Sequence, residues 1–158
     1  MRIKYLINKD SRVKDFNILI KNNFPNLLTE KKPELYLVAG GDGAMLHAIH
    51  KTIDKGIPYL GKAMGTFNFL MNQFDDDIQT INKILNDDIK IETLSSHAIQ
   101  VYLNRKKLGE AVNDVILGDK ITSYFTFNIS TEQKDFDNFE IKGGGICIST
   151  TIGSTAFN

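Results

Sequence analysis

Apolar and polar positions in the first half of the chain switch repeatedly between two periods. Arg2-Ile3-Lys4-Tyr5-Leu6-Ile7 alternates loosely and predicts a first strand, after which Ser11 can cap a helix carrying Val13, Phe16, Ile18, Leu19 and Ile20. Phe24 to Pro33 holds two of the three prolines and reads as a loop, with Pro33 pushing Lys32 towards extended geometry. A second strand runs from Glu34 to Ala39. Three glycines interrupt it, and Met45, Leu46, Ile49 and Ile53 then fall at helical spacing until Gly56 and Pro58 stop the helix. Tyr59-Leu60-Gly61 predicts a short third strand, Gly61 to Leu70 a loop, and Asp75-Asp76-Asp77 the start of a helix with Ile78, Ile81, Ile84 and Leu85 inside. Three acids in a row suggest either a metal site or the stabilisation of a helix N-terminus, and the second reading is preferred.

From Ile89 onward the helical period disappears. Ile89 to Leu94, His97 to Leu103, Ala111 to Leu117, Tyr124 to Ser130 and Gly145 to Ser149 are all strand-like, while Asn104-Arg105-Lys106-Lys107 and Gly118-Asp119-Lys120 look like surface turns. The expected fold is therefore an α/β N-terminal domain, residues 1–87, followed by a β-rich domain, residues 88–158, whose strands start without an obvious finish.

Composition narrows the class. With 42% hydrophobic residues in 158, the chain can bury a real core, and nineteen basic residues balance nineteen acidic ones without a long run of either sign. Nucleic acid is not an expected partner. No apolar run approaches the roughly 20 residues that span a bilayer, so no membrane association is expected. The single cysteine, Cys147, lies in an apolar run and reads as a buried inert thiol, which fits a reducing, cytoplasmic setting.

Candidate chemistry gathers in four places. Gly40-Gly41-Asp42-Gly43 opens a helix directly after a strand, where glycines allow close backbone approach and helix N-terminal amides attract phosphate oxygens. Its spacing is neither the dinucleotide fingerprint nor the P-loop. Asp42 among such amides would repel a phosphate, so it suits acting on a hydroxyl or holding Mg²⁺. Asn113-Asp114 sets a polar pair inside an otherwise apolar strand, to be met by a ligand or by a structural network. Gly143-Gly144-Gly145 precedes a strand, and Thr150 to Asn158 piles up hydroxyls around Gly153. His47 and His50 sit three apart on one helix and His97 lies elsewhere, with no third ligand in view, so no metal ligands are assigned.

In this order the sites resemble those of the ATP- or polyphosphate-dependent NAD kinases, which phosphorylate the adenosine ribose 2′-hydroxyl of NAD to give NADP. Gly40-Gly41-Asp42-Gly43 resembles the family's Gly-Gly-Asp-Gly, and Gly65-Thr66-Phe67-Asn68-Phe69-Leu70 resembles its second glycine loop. Asn113-Asp114 resembles its Asn-Glu or Asn-Asp pair, and Gly153-Ser154-Thr155-Ala156 its hydroxyl-rich loop. Diacylglycerol and sphingosine kinases and phosphofructokinases share a related first loop without the later motifs.

The resemblance implies an α/β domain and a β-rich domain with Asp42 as general base towards the ribose hydroxyl and the amides of Gly40, Gly41 and Gly43 facing diphosphate oxygens. It implies NAD contacts from Asp42, Gly43, Phe69, Asn113, Asp114, Lys142, Thr155, Ala156, Phe157 and Asn158. It also implies ATP or polyphosphate as donor, Mg²⁺ or another divalent cation to neutralise the donor's charge, and a homo-oligomer, dimer or tetramer. The departures are specific. Ala44 stands where the family has Thr, Gly144 where it has Asp, Thr151 where it has Pro, and Phe157 where it has Tyr. Family members continue well past the Gly-Ser-Thr-Ala loop, so the chain is expected to lack part of the β domain. The alternatives are a non-catalytic or truncated NAD-binding or assembly subunit, and a related lipid or sugar kinase.

Overall fold

In the computed structural model, residues 1–65, 67–118, 124–132 and 139–153 are described. The chain divides into two compact units, Met1–Ser95 and Ser96–Asn158.

The first unit is built on a three-stranded parallel sheet of β1 (Ile3–Leu6), β2 (Leu35–Gly40) and β3 (Tyr59–Ala63), in the order β1-β2-β3. All six residues of β2 are buried, as a central parallel strand covered on both faces requires. Successive side chains serve opposite layers. Leu35, Leu37 and Ala39 pack with Ile3 and Tyr5 of β1 and with Phe16 and Ile20 of α1 (Lys14–Asn23), Leu27 of α2 (Asn26–Thr29), and Ile81 and Ile84 of α4 (Asp77–Leu85). Val38 packs the other way, against Met45 and Ala48 of α3 (Asp42–Thr52). Tyr5 is buried and its hydroxyl donates to Asn17 Oδ1 at 2.6 Å, while burial raises its phenol well above the ordinary value.

Several local expectations are corrected. The cap before the first helix is Asp10, whose carboxylate accepts from the Arg12 amide at 2.9 Å, and Ser11 begins a 3-10 turn instead. Within the predicted loop from Phe24 to Pro33 lies α2, because Leu27 finds a place in the core. Ile89 to Leu94 forms no strand. α4 ends at a left-handed Asp87, and Ile91 packs on the core from an irregular segment. Asp76, within the acidic run, caps α4 by accepting from the Gln79 amide at 2.8 Å, as the helix-terminus reading of that run expects.

Lys62 on β3 is nearly buried, and its ammonium lies 2.9 Å from Asp77 Oδ1 and 5.3 Å from the Phe74 ring centroid. No other hydrogen bond among the described residues reaches that oxygen. Removing the ammonium would strand a carboxylate in a poorly solvated place. Lys62→Met is expected to lower stability by about 2 kcal/mol in urea denaturation, with Asp77→Asn recovering part of the loss in the double variant. The loss is smaller than for a fully buried pair because the Asp77 side chain keeps 27% exposure.

Among its described residues the second unit has three antiparallel two-stranded ladders. β4 (Ile99–Leu103) pairs with β5 (Lys106–Ala111) through Asn104 and Arg105, both left-handed, as a two-residue hairpin turn demands. Lys106 and Lys107 therefore belong to a strand and not to the predicted turn. The other pairs are β6 (Asp114–Gly118) with β9 (Gly145–Ser149), and β7 (Phe125–Ile129) with β8 (Phe139–Gly143). Among its described residues only Thr150 and Gly153 are buried, and no hydrophobic side chain is. Cys147, expected to be buried, is exposed on β9, since no described layer covers that ladder.

Candidate functional site

Ligands of open α/β sheets sit beyond the carboxyl ends of the strands, where loops diverge and helix N-termini converge. In the first unit a cleft of about 650 Å³ lies there, lined by Asn8 and Asp10 after β1, Gly40 to Ala44 after β2, and Met64, Gly65, Phe67 and Asn68 after β3. The turn that opens it depends on Gly40. Its φ of +147° disfavours a side chain, and an added Cβ would come within 2.7 Å of the Ala44 Cβ. Gly40 C=O then accepts from the Met64 amide at 2.9 Å, joining the first glycine loop to the second.

Asp42 begins α3, where helix geometry supplies no acceptors for the first amides. Its carboxylate is fixed from across the cleft. The Phe69 amide donates to Oδ2 at 2.9 Å and to Oδ1 at 3.1 Å, and the Leu70 amide donates to Oδ1 at 2.9 Å. Oδ2 thus retains acceptor capacity for a hydroxyl, while the whole carboxylate is held in one orientation. Gly43, the next residue, faces open space, with nothing within 4 Å of where a Cβ would be.

Phe67 and Phe69 are 84% and 69% exposed, with ring centroids 5.5 Å apart and planes at 89°. A core role for Phe69 is thereby excluded. Of the two, Phe67 belongs to the cleft wall. On the far side Arg12 clamps Asp10 through side-chain and backbone bonds of 2.6 to 3.2 Å, which holds the Asp10 carboxyl down at about 2. The folded value lies below the ordinary one, so whatever this clamp contributes is present at neutral pH and disappears as pH falls towards 2. Asn8, Asp10 and Arg12, unlike His47 and the second-loop residues Phe67 and Asn68, are not marked by the sequence. The segment following β1 carries the signal for the first three, since it ends at the same sheet edge.

A second cluster lies within the other unit. Asn113 is not inside a strand, because β5 ends at Ala111 and β6 starts at Asp114, leaving Val112 and Asn113 in a bend. Thr150 fixes that bend. Its amide donates to the Asn113 carbonyl at 2.9 Å, its hydroxyl donates to the Val112 carbonyl at 2.6 Å, and it accepts from the Gly153 amide at 3.0 Å. Asn113 Nδ2 donates to Asp114 Oδ2 at 3.2 Å. The start of the hydroxyl-rich loop is thereby seated on the Asn-Asp corner. Lys142 lies on β8 opposite Thr126, exposed, 3.6 Å from Glu140 Oε1. Thr155, Ala156, Phe157 and Asn158 fall outside the described residues.

Among the described residues no three His, Cys, Asp or Glu side chains gather closely enough to hold a metal, and no helix is long and apolar enough to cross a membrane.

Comparison with known proteins addresses the same region. A family model described as the ATP-NAD kinase N-terminal domain matches residues 9–90. The chain is 32% identical to an NAD kinase of Methanosarcina acetivorans over 82% of its length and 46% of the relative's. It is 30% identical to one of Rickettsia rickettsii, over 81% and 49% of the two chains. An NAD kinase 1 of Oceanobacillus iheyensis is 24% identical over the whole of this chain and 62% of its own. The chain thus spans about half the length of the curated relatives it matches. With the matched half carrying the glycine loop, Asp42 and the second loop that binds its carboxylate, the chain belongs to the NAD kinase family.

Proposed function

We propose that the protein binds NAD and transfers a phosphoryl group from ATP or inorganic polyphosphate to the adenosine ribose 2′-hydroxyl, giving NADP. The observation that supports this most is Asp42, an oriented carboxylate with a free acceptor site at the mouth of a glycine-lined cleft. In the proposed reaction Asp42 Oδ2 takes the proton of the ribose hydroxyl as its oxygen attacks the terminal phosphorus. The bond from that phosphorus to the donor's bridging oxygen breaks, and ADP or a shortened polyphosphate leaves. The amides of the Gly40–Gly43 turn face the diphosphate. A divalent cation, Mg²⁺ by preference, would be carried by the donor's own phosphates and would supply charge neutralisation there, since no three His, Cys, Asp or Glu side chains among the described residues gather to hold one. By the family resemblance, Asn113, Asp114, Lys142 and the residues from Thr155 to Asn158 are further candidates for nucleotide contacts, in a cytoplasmic homo-oligomer.

A second reading is a non-catalytic NAD-binding subunit. Ala44 and Gly144, which stand where the family has Thr and Asp, favour it. Incubating the chain with NAD, Mg²⁺ and either donor, with NADP read by an NADP-specific dehydrogenase, separates the two. NADP formation sustains the kinase, and NAD binding without turnover sustains the subunit.

Gly43→Ala tests the glycine loop. Since nothing stands near the new methyl and the backbone there is helical, stability should rise by about 0.5 to 1 kcal/mol. Nucleotide binding, measured by calorimetry, should weaken several-fold because the methyl occupies the approach to the amides. Unchanged affinity would remove Gly43 from the phosphate contacts.

A further inference from the structure

The segment between β1 and α1 serves two recesses. Asn8, Asp10, Arg12 and Val13 line the cleft, while Lys9, Asp10, Ser11 and Lys14 line a second groove of about 310 Å³ that continues along α1 past Ile18 to Lys21. Asp10 is the wall that the two share. Its carboxylate is already matched by the Arg12 guanidinium at 2.6 Å, and Asn17, also in the groove, spends its amide on the Tyr5 hydroxyl and the Asn8 carbonyl. What remains is three exposed ammonium groups, on Lys9, Lys14 and Lys21, which form no ion pair among the described residues. Lys14 and Lys21 stand two turns apart, about 10 Å along one face of the helix. A groove lined with charge of one sign attracts an anion, and this spacing suits an extended one.

We propose that this groove binds the distal part of a linear condensed phosphate whose reacting end lies in the cleft, so that affinity for inorganic polyphosphate grows with its chain length. This rests on the reading of the cleft as a kinase site and specifies its donor. Every unit of such a chain carries a negative charge, and a lysine ammonium meets it as a point charge without demanding one orientation. The Ser11 hydroxyl adds a donor, and the one carboxylate in the groove is the one that Arg12 holds. A string of linked phosphates can bridge from the cleft past Asp10 into the groove. A nucleoside triphosphate ends in an uncharged nucleoside, which gains nothing from three lysines.

The test is calorimetric binding of long-chain sodium polyphosphate, tripolyphosphate, polyglutamate and NAD to the unaltered chain and to two triple variants, with melting temperatures alongside. One variant combines Lys9→Gln, Lys14→Gln and Lys21→Gln. The other combines Lys31→Gln, Lys32→Gln and Lys55→Gln, exposed lysines that line neither recess, and so matches the change in net charge. Exposed charge contacts are individually modest, so the groove variant is expected to raise the dissociation constant for the long chain about tenfold. Its tripolyphosphate and NAD affinities and its melting temperature should stay unchanged, and the control variant should stay within twofold throughout. Equal losses in the two variants would overturn the proposal, because net charge and not the groove would then be responsible. So would polyglutamate binding as tightly as polyphosphate with the same dependence on the groove lysines, which would make this a surface for acidic proteins. If the unaltered chain forms no NADP yet binds the long chain through these lysines, the groove stands and the kinase reading falls. If it forms NADP from ATP and the long chain binds no better than tripolyphosphate, the kinase reading stands and the groove falls.

Discussion

Asp42→Asn is expected to lower the rate of NADP formation by about a thousandfold, close to 4 kcal/mol of transition-state stabilisation. The substitution keeps size and removes the charge. An amide oxygen at this position can still accept one backbone N–H, but the amide nitrogen is a donor and must turn away from the Phe69 and Leu70 amides, which now meet the carboxylate at 2.9 Å. With the oxygen committed to the loop, no basic atom is left to receive a hydroxyl proton. Turnover measured at saturating NAD and donor isolates this effect from binding. A rate within threefold of the unaltered protein would show that Asp42 is not the base. A thousandfold fall accompanied by an unchanged NAD dissociation constant would place the loss in the chemical step. Asp42→Ala is a useful companion, since it removes both the proton acceptor and the loop anchor. Its NAD affinity should fall below that of the asparagine variant, because the amides of Phe69 and Leu70 then have no partner on α3.

The sheet and its helices were legible because β2 and α3 obey simple periods. Leu35 to Ala39 is a continuous apolar run, and Met45, Leu46 and Ile49 recur at helical spacing, so the strand-loop-helix around Asp42 could be placed to within a residue or two. What was not legible depended on contacts distant in sequence. Ile89 to Leu94 has strand composition, but nothing among the described residues pairs with it, and Ile91 is used as a packing residue instead. β8 has the mixed sequence Phe-Glu-Ile-Lys-Gly, and it is a strand only because β7 lies beside it. The polar pair at Asn113 was visible, yet its surroundings were not, since they are set by a threonine nearly forty residues later. For the cleft, the glycines and Asp42 stood out by residue type. Asn8, Asp10 and Arg12 did not, because their place in the wall comes from the topology that ends β1 and β2 at the same edge.

Gly153→Ala is expected to destabilise the second unit by roughly 3 kcal/mol, near the upper end of what one added methyl costs in a packed site. An added Cβ at this position would overlap the Asn113 carbonyl, and its nearest neighbours are all backbone atoms of Asn113, so no side chain can swing aside to make room. Relief requires the two segments to part. Parting them breaks the set of bonds centred on Thr150, whose amide and hydroxyl reach the carbonyls of Val112 and Asn113 and whose oxygen accepts from the Gly153 amide. Because this unit has no buried hydrophobic side chain among its described residues to compensate, the loss should be concentrated there. Amide exchange should therefore speed up at Thr150 and Gly153, whose amides are the donors in these bonds, while Tyr36 to Ala39 in β2 keep their protection. Thr150→Val should reproduce part of the effect, since it keeps shape and the backbone amide but deletes the hydroxyl that bridges both segments. Equal protection of the Thr150 and Gly153 amides in the unaltered protein and in Gly153→Ala would mean that the loop does not rest on Asn113. The Asn-Asp corner would then have to be held in place by something else.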